Sequence, residues 1–80
     1  MKKQIAILGS TGSIGTQALE VIAEHPDLYE VYVLTANNQV DLLAEQARKF
    51  HPEAVVIANK DKYARLKEAL SDLPIKVYAG

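Results

Sequence analysis

The sequence predicts an α/β fold built on a parallel sheet, and two observations support this. Strand-like apolar runs alternate with helix-period stripes along all 80 residues, in the order β-α-β-α-β-α-β. Strands that alternate with helices are joined by right-handed crossovers, which makes the sheet parallel. In addition, a turn with three glycines separates the first strand from the first helix. Together these features predict one small domain.

Four runs have the composition of strands. The first, residues 5–8, and the third, residues 54–58, are almost continuously apolar, as expected of parallel strands with helices on both faces of the sheet. The second strand is predicted at residues 29–35 and the fourth at residues 75–78. We expect the fourth beside the third, because strands that are consecutive in sequence usually pair. Four tyrosines have strand or helix spacing and are expected to pack in the core: Tyr29, Tyr32, Tyr63 and Tyr78.

Three apolar stripes at helical spacing predict the helices, and the residues of the first stripe are expected to face the core. The first two end at His25-Pro26 and His51-Pro52, since proline cannot continue a helix and a histidine in the last turn interacts favourably with the dipole. A metal or proton-transfer role for these histidines is disfavoured, because no ligand lies at suitable spacing. Asn59 or Asp61 is the expected N-cap of the third helix. The stripes are Ile14, Ala18, Val21 and Ile22; Val40, Leu43, Ala47 and Phe50; and Tyr63, Leu66 and Leu70.

The most informative segment is the glycine-rich turn, residues 9–15. Gly9 can adopt the tight turn that leaves the strand, where a Cβ is disfavoured. Gly12 lets a pyrophosphate approach the backbone, and Gly15 lets the first helical turn pack closely. This arrangement is typical of Rossmann-like dinucleotide-binding folds.

The backbone amides of Thr11, Gly12, Ser13 and Ile14 are expected at a helix N-terminus, where unpaired N–H groups and the dipole favour an anion. The spacing G-x-x-G-x-x-G differs from G-x-G-x-x-G, so the motif is informative only between a strand and a helix, as it is here. A plain βα turn, with glycines required only for geometry, is the alternative. The context favours nucleotide binding.

The residue that distinguishes NAD from NADP lies about 20 positions after the glycines. In NAD-specific folds it is acidic and accepts a hydrogen bond from the ribose 2′-hydroxyl. Residues 35–38 contain no acid, and the nearest carboxylate, Asp41, falls on the predicted second helix. This absence permits NADP without requiring it. Asn37 and Asn38 offer amide donors and tolerate left-handed backbone. An ordinary turn is the alternative interpretation of both residues.

Composition argues against several classes of protein. A net charge of −1 gives no basic patch, which disfavours nucleic acid and anionic membranes as partners. Without cysteine the chain forms neither disulfides nor thiolate metal sites. The apolar run after the first residues is too short for a signal peptide, and no run approaches a membrane span. We therefore expect a cytoplasmic protein.

The glycine turn and its flanks closely resemble the 1-deoxy-D-xylulose 5-phosphate reductoisomerase family. The resemblance begins with the motif MKKQIAILGSTGSIG, residues 1–15, and extends along the whole chain. Members are several times longer. The resemblance therefore implies that residues 1–80 are the N-terminal part of an NADPH-binding Rossmann-like domain, with the catalytic and C-terminal domains outside this chain. The other segments that share it are residues 18–22, 25–26, 34–36, 46–52 and 77–80.

The resemblance implies NADPH as the cofactor. The chain departs from the family after the second strand, where the family commonly has Ala-Gly-x-Asn and this chain has Ala36-Asn37-Asn38-Gln39. The departure leaves open which side chains reach the 2′-phosphate. The residues implied in cofactor binding are Gly9, Thr11, Gly12, Ser13, Ile14, Asn37, Asn38 and Gln39.

The resemblance also implies a reaction, in which homodimeric enzymes rearrange 1-deoxy-D-xylulose 5-phosphate and reduce it to 2-C-methyl-D-erythritol 4-phosphate in non-mevalonate isoprenoid biosynthesis. The reaction uses NADPH and a divalent metal, Mg or Mn, whose ligands would lie outside this chain. Carboxylates such as Glu20 and Glu45 fall on polar helix faces here, so we predict no catalytic or metal-binding residue and no activity for this segment alone. Two alternatives remain: a segment of another NADP-dependent dehydrogenase, such as a semialdehyde dehydrogenase, or a stand-alone nucleotide-binding module.

Overall fold

Strands and helices alternate along the chain as predicted. The structure, a computed structural model, describes residues 2–80; Met1, the first residue of the motif that resembles the family, lies outside the described residues. Each predicted strand is present within about two residues of its expected ends. A short 3₁₀ helix, Lys60–Lys62, precedes the last helix. The elements are β1 (Lys3–Ile7), α1 (Ser13–Glu24), β2 (Tyr29–Ala36), α2 (Val40–Phe50), β3 (Ala54–Ile57), α3 (Tyr63–Ala69) and β4 (Lys76–Ala79).

The four strands form one parallel sheet in the order β1-β2-β3-β4. β4 pairs with β3, which confirms the predicted position of the fourth strand. The β1–β2 ladder is irregular at one point: Ile5 lies opposite Val31 and Ala6 opposite Val33, so Tyr32 is an extra residue on β2. Because the strands are parallel, their carboxyl ends meet at one edge of the sheet. The loops that follow β1 and β2 therefore lie side by side.

One hydrophobic core lies between the helices and one face of the sheet. Consecutive strands with right-handed crossovers place their helices on the same side. The opposite face presents residues such as Val33, Val56 and Tyr78, which do not belong to the core cluster. The predicted parallel, Rossmann-like α/β architecture is confirmed. The sequence predicts helices on both faces of the sheet, whereas the helices within residues 2–80 cover one face. The largest fully buried core side chains are Leu34, Leu43, Val55, Ile57, Leu66 and Leu70.

Two residues of the first predicted stripe lie outside the core. Ile14 and Val21 are 83% and 54% exposed, so the prediction that they pack inside is wrong for this segment. α1 instead buries Gly15, Leu19 and Ile22 against the sheet. The exposed pair lines shallow depressions along β1, which is one of the two edge strands of the described sheet.

Two of the four tyrosines also differ from expectation. Tyr29 and Tyr63 pack against the core, whereas Tyr32 and Tyr78 are 45% and 51% exposed. Tyr32 is the extra residue of the bulge, and Tyr78 lies on the face of the sheet that the described helices leave open. The alternation of side chains along a strand does not reveal which face of the sheet is covered by helices.

The helix ends follow the sequence. His25 and His51 are the C-cap residues of α1 and α2, and the backbone of His51 is left-handed, with φ of 50°. Neither candidate caps α3, whose N-cap residue is Lys62; Asn59 instead caps the 3₁₀ helix before it, where its Oδ1 accepts a hydrogen bond from the Asp61 N–H at 3.0 Å. None of the helices within residues 2–80 has the length and apolarity needed to cross a membrane.

Candidate dinucleotide-binding site

The glycine turn connects β1 to α1, and the end of β2 fixes its start. Gly9 has a φ of +74°, in the left-handed region that favours glycine, as predicted. Its N–H donates to Thr35 Oγ1 at 2.9 Å, and the Ser10 N–H donates to the Thr35 carbonyl at 2.8 Å. Gly12 closes the turn by donating its N–H to the Gly9 carbonyl at 3.1 Å. Thr35 therefore determines where the turn begins.

Gly12 and Gly15 serve different purposes. A Cβ on Gly15 would overlap the Gly9 carbonyl oxygen and lie 2.7 Å from Ser10 Cα, so this glycine allows α1 to approach the turn. A Cβ on Gly12 would meet only the Gly9 carbonyl oxygen, at the ordinary contact distance of 3.5 Å. Protein atoms fill the space beside Gly15, whereas the space beside Gly12 is open to a ligand.

The first backbone amides of α1 receive no side-chain cap. Gly12 occupies the N-cap position, and the first turn contains no acidic residue. The Thr16 hydroxyl shares its proton between the carbonyls of Gly12 and Ser13, at 3.0 and 2.9 Å. It therefore does not occupy the backbone N–H groups of Thr11, Ser13 and Ile14. Ser13 and Ile14 are exposed, and Thr11 is half-buried. An anion beside these residues would meet N–H donors and the positive end of the helix dipole.

The second group of predicted residues forms the loop between β2 and α2. Asn37, Asn38 and Gln39 are all exposed, and they lie at the same sheet edge as the glycine turn. Asn59 contacts this loop: its Nδ2 donates to Asn38 Oδ1 at 2.7 Å, and its backbone N–H donates to the Asn37 carbonyl at 3.0 Å. The structure thus brings the eight predicted residues to one edge of the sheet.

The carboxylate that follows this loop most closely in sequence lies on α2, as predicted, and it is paired. Asp41 is in the first turn of α2, and both of its oxygens accept from Arg65 Nη2, at 2.9 and 3.1 Å. The Arg65 guanidinium offsets the charge of Asp41, so the loop itself has no unpaired carboxylate that would repel a phosphate.

Two polar residues contact this region although the sequence did not assign them to it. Gln46, buried on α2, donates its Nε2 to the Ser10 carbonyl at 2.8 Å. Its position three residues after Leu43 places it on the core face, and a polar residue there is the signal that identifies it. Asn59 is predicted only as a helix cap, because no local pattern reveals its contact with the loop after β2.

Comparison with known proteins agrees with this geometry. The family model of 1-deoxy-D-xylulose 5-phosphate reductoisomerase matches residues 5–80. The reductoisomerase of Phocaeicola vulgatus is 86% identical over 80 residues, which are 100% of this chain and 21% of that protein. The reductoisomerase of Porphyromonas gingivalis is 68% identical over the same share of each chain. This chain therefore spans about a fifth of the length of these relatives.

Solved structures of reductoisomerases have the same fold as this chain over the matched residues. The reductoisomerase of Zymomonas mobilis in complex with NADPH matches with a TM-score of 0.97 and 39% identity, covering 100% of this chain and 21% of that one. A reductoisomerase in complex with magnesium matches with a TM-score of 0.93 and 36% identity, covering 100% and 20%. The family match over residues 5–80, together with these similarities, shows that the chain belongs to the 1-deoxy-D-xylulose 5-phosphate reductoisomerase family.

Proposed function

We propose that this chain is the NADPH-binding segment of an enzyme that rearranges 1-deoxy-D-xylulose 5-phosphate and reduces it to 2-C-methyl-D-erythritol 4-phosphate. The observation that carries the proposal is the glycine turn, where open space beside Gly12 adjoins the uncapped first amides of α1. The complex of the Zymomonas mobilis relative with NADPH supports the choice of cofactor. Family membership favours this function over the other dehydrogenases and over a stand-alone module.

The described residues fit NADPH chemically. The pyrophosphate would bind at the turn, against the backbone N–H groups of Thr11, Ser13 and Ile14, with Gly9 and Gly12 allowing its close approach. The 2′-phosphate would bind beside Asn37, Asn38 and Gln39, an exposed and uncharged loop. When bound, NADPH supplies the hydride for the reduction.

This segment binds and orients the adenosine half of the cofactor in the proposed enzyme. Thr35 and Gln46 fix the backbone of the turn, so its amides are already placed before the pyrophosphate arrives. Such preorganisation strengthens binding because less ordering accompanies it.

The catalytic groups would come from other parts of the enzyme. Within residues 2–80 no group of three or more histidines and carboxylates could hold a metal ion. We propose that the Mg or Mn ligands and the sugar phosphate site lie outside this chain, in a cytoplasmic homodimer. The magnesium complex of a relative supports the metal requirement.

Two measurements test the proposal. NADPH oxidation by the complete enzyme that carries this segment, with 1-deoxy-D-xylulose 5-phosphate and Mg²⁺, should depend on both the substrate and the metal. Residues 1–80 alone should bind NADPH weakly and show no turnover. A complete enzyme that fails to oxidise NADPH with this substrate contradicts the reaction, and turnover by residues 1–80 contradicts the assignment of the catalytic groups.

A further inference from the structure

Asn59 connects the end of β3 to the candidate cofactor loop through its side-chain amide nitrogen and its backbone N–H. Its Oδ1 accepts from the Asp61 N–H at 3.0 Å, which caps the 3₁₀ helix. Its Nδ2 donates to Asn38 Oδ1 at 2.7 Å, and its N–H donates to the Asn37 carbonyl at 3.0 Å. One residue therefore fixes both the backbone and a side chain of the loop.

These bonds determine which atoms of Asn38 are available to a ligand. Its side-chain oxygen accepts from Asn59, and its carbonyl accepts from the Val40 N–H at 2.9 Å. The Asn37 carbonyl accepts from Asn59 as well. The Asn38 Nδ2 makes no hydrogen bond with the other described residues, whereas each Asn38 oxygen already accepts one, so Asn38 presents its N–H donors to a ligand.

A phosphate dianion and a ribose hydroxyl differ in what they require from such a group. The 2′-phosphate of NADPH only accepts hydrogen bonds, whereas the 2′-hydroxyl of NADH also donates one, which NAD-specific folds satisfy with a carboxylate. Asn38, whose amide nitrogen is free and whose side-chain oxygen already accepts from Asn59, therefore suits the phosphate better than the hydroxyl. Among the nearby charges, Asp41 is paired with Arg65, and the 3₁₀ helix that follows Asn59 carries one carboxylate, Asp61, between Lys60 and Lys62.

We propose that Asn59 is a positioning residue for cofactor discrimination, which holds the Asn38 amide with its N–H donors available to the 2′-phosphate. The inference rests on the proposed function of the chain. It assigns to the loop after β3 a part in selecting NADPH, although Asn59 itself need not touch the cofactor.

The test compares two variants in the complete enzyme. Asn59→Ser keeps a hydroxyl that can cap the 3₁₀ helix, but its side chain is too short to reach Asn38. Asn59→Asp keeps the cap and replaces the donor by a carboxylate, which would attract the Asn38 amide N–H and turn the Asn38 oxygen towards the ligand. We expect the ratio of kcat/KM for NADPH to kcat/KM for NADH to fall about tenfold in Asn59→Ser, which corresponds to one charge-assisted hydrogen bond, and further in Asn59→Asp. The kcat with NADPH should change little.

Ala64→Glu is the control for charge, because it adds one negative charge on the exposed surface of α3 and leaves Asn59 intact. Its cofactor ratio should stay near that of the wild type. A purely structural role for Asn59 would raise KM for both cofactors equally, and an unchanged ratio in both Asn59 variants would overturn the inference. A wild-type enzyme that does not bind NADPH would overturn the proposed function itself.

Discussion

Gln46 Nε2 donates a hydrogen bond to the carbonyl oxygen of Ser10 at 2.8 Å, and both residues are buried. This contact joins the middle of α2 to the start of the glycine turn, 36 residues earlier in the chain. Thr35 binds the same part of the turn from the end of β2. The turn is therefore held by two neighbouring elements, which keeps its amides in place without a ligand.

Replacing Gln46 by methionine should destabilise the protein, because the Ser10 carbonyl would lose its donor from α2 in a buried site. We expect the free energy of unfolding to fall by about 1–3 kcal/mol and NADPH binding to weaken. Chemical denaturation and NADPH titration of the complete enzyme measure the two effects. Gln17→Met, at an exposed position of α1, is the matched control and should change neither. Wild-type stability in Gln46→Met would contradict the role given to this bond.

Alanine at Gly12 should mainly weaken NADPH binding, whereas alanine at Gly15 should mainly lower stability. Gly12→Ala should change stability by less than about 1 kcal/mol, since its Cβ meets only an ordinary contact, but it should weaken NADPH binding about tenfold or more by occupying the open space. Gly15→Ala should lower stability by about 1–3 kcal/mol, because its Cβ overlaps the backbone of the turn. Thermal unfolding and NADPH titration separate the two effects. Equal NADPH affinity in Gly12→Ala and wild type would exclude the turn as the pyrophosphate site.

Aspartate at Asn37 should reduce the preference for NADPH over NADH. A carboxylate there would repel the 2′-phosphate and accept a hydrogen bond from the ribose hydroxyl of NADH. We expect the kcat/KM ratio of the two cofactors to fall about tenfold. Ala23→Asp adds the same charge near the opposite end of α1 and should leave the ratio unchanged. If both variants behave alike, the loop after β2 does not contact the 2′-phosphate.

The pair of Arg48 and Asp72 should make stability depend on pH in acid. Hydrogen bonds from the Arg48 guanidinium lower the pKa of the Asp72 carboxyl below its ordinary value. The folded protein therefore releases this proton more readily than the unfolded chain. The resulting stabilisation is complete above the unfolded pKa, about 3.9, and is lost as the pH falls through the lower folded pKa.

Asp72→Asn should accordingly be less stable than wild type at neutral pH, and the difference should shrink as the solution is acidified. Denaturation at a series of pH values measures this difference. Asp27→Asn, at an exposed carboxylate that forms no ion pair with another residue among 2–80, should show no such convergence. A difference from wild type that is constant with pH would contradict the assigned cause.

The elements that the sequence predicts correctly depend on local patterns. The glycine spacing predicts the left-handed Gly9, and proline marks the ends of α1 and α2 at His25 and His51. The contacts of Gln46 with Ser10 and of Asn59 with Asn38 do not follow from any local pattern. Each joins residues more than twenty positions apart, and only the packing of the sheet brings them together.

The exposed positions of Ile14 and Val21 have a related cause. An apolar stripe shows that one side of a helix avoids water, but it does not show which element covers each residue. In α1 the apolar stripe is wider than the surface that the sheet offers within residues 2–80, because the sheet ends at β1, one of its two edge strands. The helical period is correct, but within residues 2–80 no element covers Ile14 and Val21.

The strand order has a consequence for how the chain acquires its structure. Each strand after β1 pairs with the strand that precedes it in the chain. Lys3 lies opposite Tyr29, Val33 opposite Ala54, and Ala54 opposite Lys76. Each pairing closes a loop of roughly 20 to 26 residues, so the entropy lost at every step is small and similar. Among the strands within residues 2–80, none pairs with its neighbour only after a later strand has been inserted between them. The segment can therefore assemble one βα unit at a time as it leaves the ribosome, and the glycine turn gains its contacts from Thr35 and Gln46 once α2 has been synthesised.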